Sequence, residues 1–271
     1  MPLLTLEEIK GISPFFESKT GRWTARRLMR WLNIDRTNAL YDRLSSEKGP
    51  AFASAVLHEL GVKYELIHAE RLDHLPDGPF IVIANHPYGS LDGIMMIEIF
   101  GRQRPDFKVM VNGFLSRIEP LSGNFINVTP IPEKPTAPTK DSIEGVRTAM
   151  DHVKRGHPLG IFPSGAVSDL SIKDGCIRDR QWQEPVIRLI KKLRVPIIPV
   201  HFLDGNSGFY YSLGLISWKV RLLRLPSELF NKRCKTARIM IGNPIAVSTQ
   251  DEIKTTEEFG KCLRDSVYKM R

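Results

Sequence analysis

PFIVIANHPYGSLDG, residues 79–93, joins a short apolar run to a turn that is rich in glycine and polar side chains. The apolar run, 79–84, predicts a buried strand, and His86 follows just after its end. Asp92 comes six residues later, where the pattern predicts the start of a helix. A histidine that is oriented by a carboxylate can act as a general base near neutral pH, because imidazole titrates there. We therefore interpret His86 as a candidate base and Asp92 as its orienting acid, although a local hydrogen bond in an ordinary loop gives the same pattern.

The rest of the chain alternates short apolar runs with amphipathic segments. Six runs predict strands, at 79–85, 107–112, 125–131, 159–163, 196–202 and 237–242. Three segments between them predict helices, at 92–101, 139–155 and 183–193. The second helix has an apolar face, which consists of Ile143, Val146, Met150 and Val153. The segment PEKPTAP, 132–138, carries three prolines and predicts a loop. This alternation indicates an α/β fold with a largely parallel mixed sheet flanked by helices.

The first sixty residues do not show this alternation of short apolar runs, and their pattern predicts helices. The segment 21–32 places several apolar residues roughly on one side, among closely spaced arginines: Trp23, Ala25, Leu28, Met29 and Leu32. We predict a helical N-terminal element over 1–62, which could associate with a membrane, and an α/β domain over 63–271.

Composition narrows the classes of partner. The net charge of +9 favours a polyanionic neighbour, so anionic lipid, nucleic acid and an acidic carrier protein all stay open on charge alone. No nucleic-acid-binding motif appears, and no apolar run approaches the ~20 residues of a membrane-spanning helix. The three cysteines show no paired spacing, which favours a reduced cytosolic setting with neither disulfide framework nor metal site: Cys176, Cys234 and Cys262.

Four ordered blocks carry a family resemblance. They read NHPYGSLDG at 85–93, LSGNFINV at 121–128, GIFPSGAVS at 160–168 and VPIIPVHF at 195–202. In this order they resemble the motif blocks of the glycerolipid (lysophospholipid) acyltransferase superfamily. Asp179 with Trp182, and HFLDGNS at 201–207, look most like its bacterial lyso-ornithine-lipid (aminolipid) O-acyltransferases, a branch often labelled hemolysins.

The sequence departs from the superfamily pattern at positions that are expected to bind the headgroup of the acceptor. Five residues separate His86 from Asp92 instead of four, Val128 replaces an arginine and Ser164 replaces a glutamate. Valine cannot offer the bidentate phosphate contact of arginine. The resemblance therefore implies a zwitterionic lyso-aminolipid acceptor rather than a glycerol phosphate.

The resemblance implies direct acyl transfer from a thioester, in which His86 takes the proton of an acceptor hydroxyl and Asp92 stabilises the imidazolium. Backbone N–H groups near Gly165 or in the His86 loop are candidate oxyanion donors. The implied substrate-binding residues are Asn85, Gly89, Ser164, Gly165, Ser168, Asp179 and Trp182. A helix-capping turn for the serines and a buried tryptophan beside a local acid are the plainer alternatives. No cofactor is implied, and acyl carrier protein or coenzyme A would bring the acyl group.

Two basic, aromatic stretches suit a lipid interface, where rings sit at the headgroups and cations meet anionic lipid. The residues predicted to face the membrane are Trp23, Arg27, Trp31, Tyr210, Trp218, Lys219 and Arg221. A solvated basic face over a core helix is the alternative. His201, on an apolar strand, is expected to be a core residue.

The leading hypothesis is a peripheral enzyme at the cytoplasmic face of the bacterial inner membrane, which acylates the hydroxyl of a lyso-aminolipid. A lysophosphatidate acyltransferase is the nearest rival, and N-acylation of an amine is a variant. A non-catalytic basic module that binds membranes or nucleic acid is the rival from another class.

Overall fold

Strands form a seven-stranded sheet and one small hairpin. The computed structural model describes residues 18–113, 115–128 and 140–270. In chain order the strands are β1 (Lys63–Ile67), β2 (Ile81–Ala84), β3 (Lys108–Asn112), β4 (Phe125–Val128), β5 (Leu159–Ile161), β6 (Asp169–Ser171), β7 (Cys176–Arg178), β8 (Ile197–Phe202) and β9 (Thr236–Ile241). The large sheet has the order β1-β9-β8-β2-β5-β3-β4, and β6 pairs with β7. Within the large sheet the neighbouring strands are parallel except for β8 and β9.

Helices precede the sheet and cover its two faces. They are α1 (Lys19–Trp31), α2 (Ile34–Arg43), α3 (Gly49–Glu59), α4 (Leu91–Gln103), α5 (Lys140–Lys154), α6 (Glu184–Leu193), α7 (Gly208–Ile216), α8 (Trp218–Leu223), α9 (Leu225–Asn231), α10 (Val247–Glu252) and α11 (Thr256–Tyr268).

The core has two halves, one on each face of the sheet. Successive side chains of a strand point to opposite faces, so Val82 and Ala84 of β2 join one cluster while Ile81 and Ile83 join the other. The first cluster includes residues of α3 and α4, and the second includes residues of α5, α6 and α11. All four side chains of β2 are fully buried, which explains why this strand reads as a continuous apolar run.

The structure confirms the predicted fold class and most of the predicted elements. Each of the six predicted strands contains a strand, and each of the three predicted helices a helix. The strand predicted at 125–131 is described only to Val128; positions 129–131 and the loop predicted at 132–138 lie outside the described residues. Sequence reasoning missed β1 and the β6–β7 hairpin. Charged residues interrupt β1, and the hairpin strands have three residues each, too few to show a period.

Two predictions about helix faces were wrong. Ala25 and Met29 of α1, and Leu32 just after it, are buried on one side as grouped, but Trp23 is 57% exposed because it lies on the opposite face. In α5, Ile143 and Val146 are exposed. This helix approaches β4 through Gly145, where an added Cβ would lie 2.4 Å from a backbone oxygen of that strand. A small residue sets the buried face of α5, and hydrophobicity alone does not reveal that.

The first three helices precede the sheet, which begins at β1. Helix α3 packs against α4, and therefore against the helix that carries Asp92 in its first turn. A boundary between 62 and 63 stays a prediction.

Candidate active site

The site lies where β2 ends, in the middle of the sheet. Open α/β sheets place their ligands beyond the carboxyl ends of the strands. Asn85 continues β2 with its side chain: Nδ2 donates to the Phe202 carbonyl at 2.9 Å, and Oδ1 accepts from the Phe202 N–H at 2.8 Å. Both polar atoms are committed to the backbone of β8. Asn85 was predicted to bind substrate, but it holds the start of the His86 loop.

His86 and Asp92 meet as the sequence predicts. Nδ1 of His86 lies 2.9 Å from Oδ2 of Asp92, and the carboxylate is fully buried. The contact becomes an ion pair when the imidazole is protonated, and Nδ1 is inaccessible to solvent. A carboxylate beside Nδ1 favours the tautomer that carries its proton there, which leaves Nε2 as the basic nitrogen.

Asp92 is fixed by the backbone around it. Its Oδ2 accepts the N–H groups of Tyr88 and Gly89 at 3.0 and 3.2 Å, and its Oδ1 accepts the N–H of Gly93 at 3.0 Å. Asp92 also stands in the first turn of α4, where the helix dipole favours a negative charge. These contacts compensate a buried carboxylate and leave its orientation no freedom.

The imidazole of His86 is enclosed but not sealed. It packs on Phe162 with ring centroids 4.1 Å apart, and the side chain is 15% exposed. Burial disfavours the imidazolium, but the carboxylates of Asp92 and Asp179 outweigh that effect and raise the pKa of His86 above its ordinary 6.5. The arrangement gives a somewhat stronger base than a free imidazole, directed by a fixed acid.

Gly89 allows the loop to pass close to its neighbours. Its φ is +80°, and an added Cβ would lie 2.7 Å from Val167 and 2.9 Å from Leu225. Glycine is therefore required for packing at this position, which sequence reasoning assigned to substrate.

Three further predicted residues surround the backbone of His86. Oδ1 of Asp179 accepts from the His86 N–H at 3.1 Å and from the Ser168 hydroxyl at 2.6 Å. Its Oδ2 accepts from the Trp182 indole at 3.0 Å. All three side chains are buried, so the buried tryptophan beside a local acid is the arrangement found.

Ser164 and Gly165 form a turn after β5. The Ser164 hydroxyl donates to the Ala166 carbonyl at 2.7 Å, and the Gly165 N–H donates to the Phe162 carbonyl at 3.0 Å. The N–H of Gly165 itself is therefore already engaged, and an oxyanion donor near Gly165 or in the His86 loop stays a prediction. The N–H groups of His86, Tyr88 and Gly89 are engaged as well.

Two positioning residues were missed. The Tyr211 hydroxyl donates to the Pro87 carbonyl at 2.7 Å, and Nδ2 of Asn206 donates to the Tyr88 carbonyl at 2.9 Å. Both side chains are in or beside α7, so the loop is held by this part of the fold as well as by Asp179. Asn206 belongs to the HFLDGNS block and Tyr211 lies four residues beyond it, but a contact across 118 residues leaves no periodic signal in the sequence.

The residues predicted to face a membrane divide into two groups. Trp23, Trp31 and Trp218 are more than half exposed, and Arg27 is exposed with its guanidinium 4.7 Å from the Trp23 ring. The prediction was wrong for Tyr210 and Arg221, which are buried. Arg221 binds Asp169 and the carbonyls of Val167 and Ser168, so its positive charge is compensated inside the fold. The side chain of Lys219 lies outside the described residues.

Other features lie away from this site. Cavities of about 200 and 240 Å³ are lined by residues of α2, α3, α9 and the segments beside them, and neither is lined by His86. His201 is half-buried, and burial lowers its pKa to about 4. Over 18–113, 115–128 and 140–270, no cluster of side chains suited to a metal ion appears and no helix could cross a membrane.

Comparison with known proteins gives consistent results. A family profile described as Acyltransferase matches residues 14–271. The lyso-glycine lipid O-acyltransferase of Bacteroides thetaiotaomicron is 27% identical over 251 residues, which cover 90% of this chain and 88% of that protein. The lyso-glycine lipid O-acyltransferase of Phocaeicola vulgatus is 26% identical over 257 residues, with 92% and 88% covered. The crystal structure of the 1-acyl-sn-glycerophosphate acyltransferase PlsC from Thermotoga maritima superposes with a TM-score of 0.49 at 15% identity, covering 80% of this chain and 79% of that one.

Proposed function

We propose that this chain, which belongs to the acyltransferase family, transfers a fatty acyl group from a thioester to the hydroxyl of a lyso-aminolipid. The observation that carries the proposal is the buried Asp92 carboxylate 2.9 Å from Nδ1 of His86, at the end of the central strand. The relatives named lyso-glycine lipid O-acyltransferases support the acceptor class.

The chemistry needs one base and no covalent enzyme intermediate. Nε2 of His86 removes the proton of the acceptor hydroxyl while the oxygen attacks the thioester carbonyl. The tetrahedral intermediate collapses, the C–S bond breaks, and the imidazolium returns the proton to the departing thiolate. Asp92 stabilises the imidazolium throughout, and base catalysis of this kind contributes about 10²–10⁴-fold.

The environment of the predicted headgroup positions supports an acceptor without a phosphate. Val128 ends β4 and has no charge to offer, and the Ser164 hydroxyl is engaged in its own turn. A glycine headgroup carries a single carboxylate, so the site needs less positive charge to bind it than to bind a phosphate dianion. Lysophosphatidate remains the competing acceptor, and an amine is the acceptor in the N-acylation variant.

An exposed apolar surface supports a peripheral position on a membrane. We call it the interfacial surface. It consists of Trp23 and Trp31 of α1 with Phe209, Leu215, Ile216, Trp218, Val220, Leu222 and Leu223 of α7 and α8, each 38–82% exposed. Such a set is typical of proteins that bury aromatic and aliphatic side chains at the headgroup boundary.

Contacts join the two parts of the interfacial surface. The Arg224 guanidinium lies 5.1 Å from the Trp31 ring centre and 5.5 Å from that of Phe209. The Ser227 hydroxyl donates to the Trp31 carbonyl and accepts from Nδ2 of Asn33. Because Tyr211 of α7 holds the His86 loop, this surface adjoins the site. We propose that it rests on anionic lipid at the cytoplasmic face of the inner membrane, where thioester donors are available.

The acceptor and donor are tested together. Purified protein is incubated with acyl carrier protein and coenzyme A thioesters against lyso-glycine lipid, lyso-ornithine lipid and lysophosphatidate, and the products are identified by mass. We expect the highest kcat/KM with a lyso-aminolipid and an ester product. Higher kcat/KM with lysophosphatidate overturns the acceptor assignment, and an amide product overturns O-acylation. The same assay decides between the two thioester carriers, which the acidity of acyl carrier protein and the net charge of +9 leave open.

A further inference from the structure

We propose that Asp179 is a positioning residue for His86, which couples the C-terminal helix to the base. This inference rests on the proposed function, because it assigns a role in the same reaction. Asp179 touches neither substrate nor Nε2; it acts through the backbone and the charge of His86.

The first observation is the way Asp179 binds the backbone of His86. The His86 N–H donates to Oδ1 of Asp179, and the His86 carbonyl accepts the Ser168 N–H at 2.9 Å. Ser168 in turn donates its hydroxyl to the same Oδ1. The two residues thus hold both sides of the His86 peptide and also bind each other. A hydrogen bond to each side fixes the backbone from which the imidazole projects.

The second observation is that the Asp179 carboxylate is buried among the donors that have just been named. It is 3% exposed, and among the described residues its two carboxylate oxygens accept the three donors already named. A buried carboxylate costs free energy unless donors compensate it, and burial does raise the pKa of Asp179 despite these donors. The three donors offset part of that cost, and the carboxylate lies close enough to the imidazole of His86 to help raise its pKa.

The third observation is that α11 holds Asp179 itself. The Asp179 N–H donates to the Tyr268 hydroxyl at 2.9 Å, and the Arg264 guanidinium donates to the Asp179 carbonyl at 2.7 Å. Arg178 also lies over the Tyr268 ring at 5.5 Å. The segment after β7 is therefore held between α11 and the His86 loop. The charged groups around the imidazole are then Asp92 of α4 and Asp179, with Arg264 and Arg178 behind the latter.

Asp179→Asn tests this role because it keeps the shape and removes the charge. The amide oxygen can still accept from the His86 N–H and the Ser168 hydroxyl. Its NH₂ group then faces the Trp182 indole N–H, so two donors meet. Trp182→Phe removes that conflict, and the double variant Asp179→Asn/Trp182→Phe isolates the loss of charge from the loss of fit.

We expect both Asp179→Asn and the double variant to shift the acid limb of kcat/KM to lower pH, because less negative charge stabilises the imidazolium. Above that limb we expect a loss of at most about 10²-fold. Trp182→Phe alone removes one donor from Asp179 but keeps its carboxylate, so it should shift the limb less than the double variant does. Thermal unfolding of each variant, measured alongside, should show the double variant at least as stable as Asp179→Asn.

The outcomes separate this inference from the proposed function. If the wild type transfers acyl groups but the limb of the double variant stays at its wild-type pH, Asp179 is a structural residue and the inference fails. If the wild type transfers no acyl group to any lyso-lipid, the proposed function fails first. An NMR titration of the His86 ring in wild type and double variant then still tests whether Asp179 acts on the base.

Discussion

His86 projects from a loop whose backbone and ring are held from several sides. Asp92 fixes the ring through Nδ1, and Asn85 anchors the loop to β8. Tyr211 and Asn206 bind the carbonyls of the two residues that follow His86. A base fixed in this way loses little free energy to reorientation when the acceptor arrives, so positioning accounts for much of what the site can do.

The acid limb of activity should report His86. Its neutral form is the base, so kcat/KM rises as pH rises through its pKa, and the neighbouring carboxylates raise that pKa above 6.5. We expect the midpoint of the limb above pH 6.5 in a pH–rate profile. His58→Asn, at an exposed position of α3, is the matched control and should leave the midpoint unchanged. A wild-type midpoint below 6.5 would contradict the electrostatics described for the site.

Gly89 of the His86 loop and Gly93 of α4 should respond in opposite ways to substitution by alanine. At Gly89 the positive φ and the contacts with Val167 and Leu225 predict a loss of about 1–3 kcal/mol in the free energy of unfolding for Gly89→Ala. Gly93 lies in α4 with open space around its Cα, so Gly93→Ala should be neutral or gain up to about 1 kcal/mol. Denaturant unfolding measures both. Equal effects of the two substitutions would show that the loop is not packed as described.

At the scale of elements, strands buried on both faces were predictable and short or half-exposed ones were not. β2 and β8 read as continuous apolar runs because both of their faces are covered. The pairing of His86 with Asp92 was predictable because only six residues separate them. Asp179, Asn206 and Tyr211 reach the same loop through contacts that span 93 or more residues, and no local pattern encodes such contacts.

Helices α7 and α8 provide the element-scale prediction. Ile216 and Trp218 are 82% and 52% exposed on the interfacial surface. A fully buried large apolar side chain contributes about 1.5–3 kcal/mol, so Ile216→Ser/Trp218→Ser should weaken binding to anionic vesicles by at least about tenfold in a sedimentation assay. Ile143→Ser removes an equally apolar, 56% exposed side chain from α5 and serves as the control. Equal binding of the two variants would place the membrane contact elsewhere.

The whole molecule combines a sheet covered by helices on both faces, a site at the carboxyl ends of its strands and an apolar surface beside that site. Composition gives the net charge of the protein but does not predict which charged side chains lie on its surface. The sequence predicts that Arg221 faces the membrane, yet it is buried against Asp169. An arginine in an amphipathic stretch can pair with a buried carboxylate as well as lie on the surface. Three-dimensional packing decided which aromatic and basic residues stayed outside.

Net charge makes a prediction at this scale. With a formal charge of +9, the protein should bind vesicles containing anionic lipid more tightly than neutral vesicles. Added salt should weaken only the anionic case, because exposed charges are screened beyond ~10 Å at 0.1 M salt. Sedimentation at low and high ionic strength measures this. Salt-independent binding to anionic vesicles would assign the attraction to the apolar side chains alone.

The central claim is that His86 is the base of an acyl transfer, and its substitution tests that claim most directly. His86→Asn keeps a polar group near Asp92 but has no basic nitrogen, and His86→Ala removes both. Each is assayed with a thioester donor and lyso-glycine lipid, with product measured by mass and with unfolding and vesicle binding recorded as controls. We predict that both variants stay folded and bind vesicles, while transfer falls by about 10²–10⁴-fold. Turnover near the wild-type rate in a folded His86→Ala protein would contradict the assignment of His86, and an inactive wild type would favour a non-catalytic membrane-binding module.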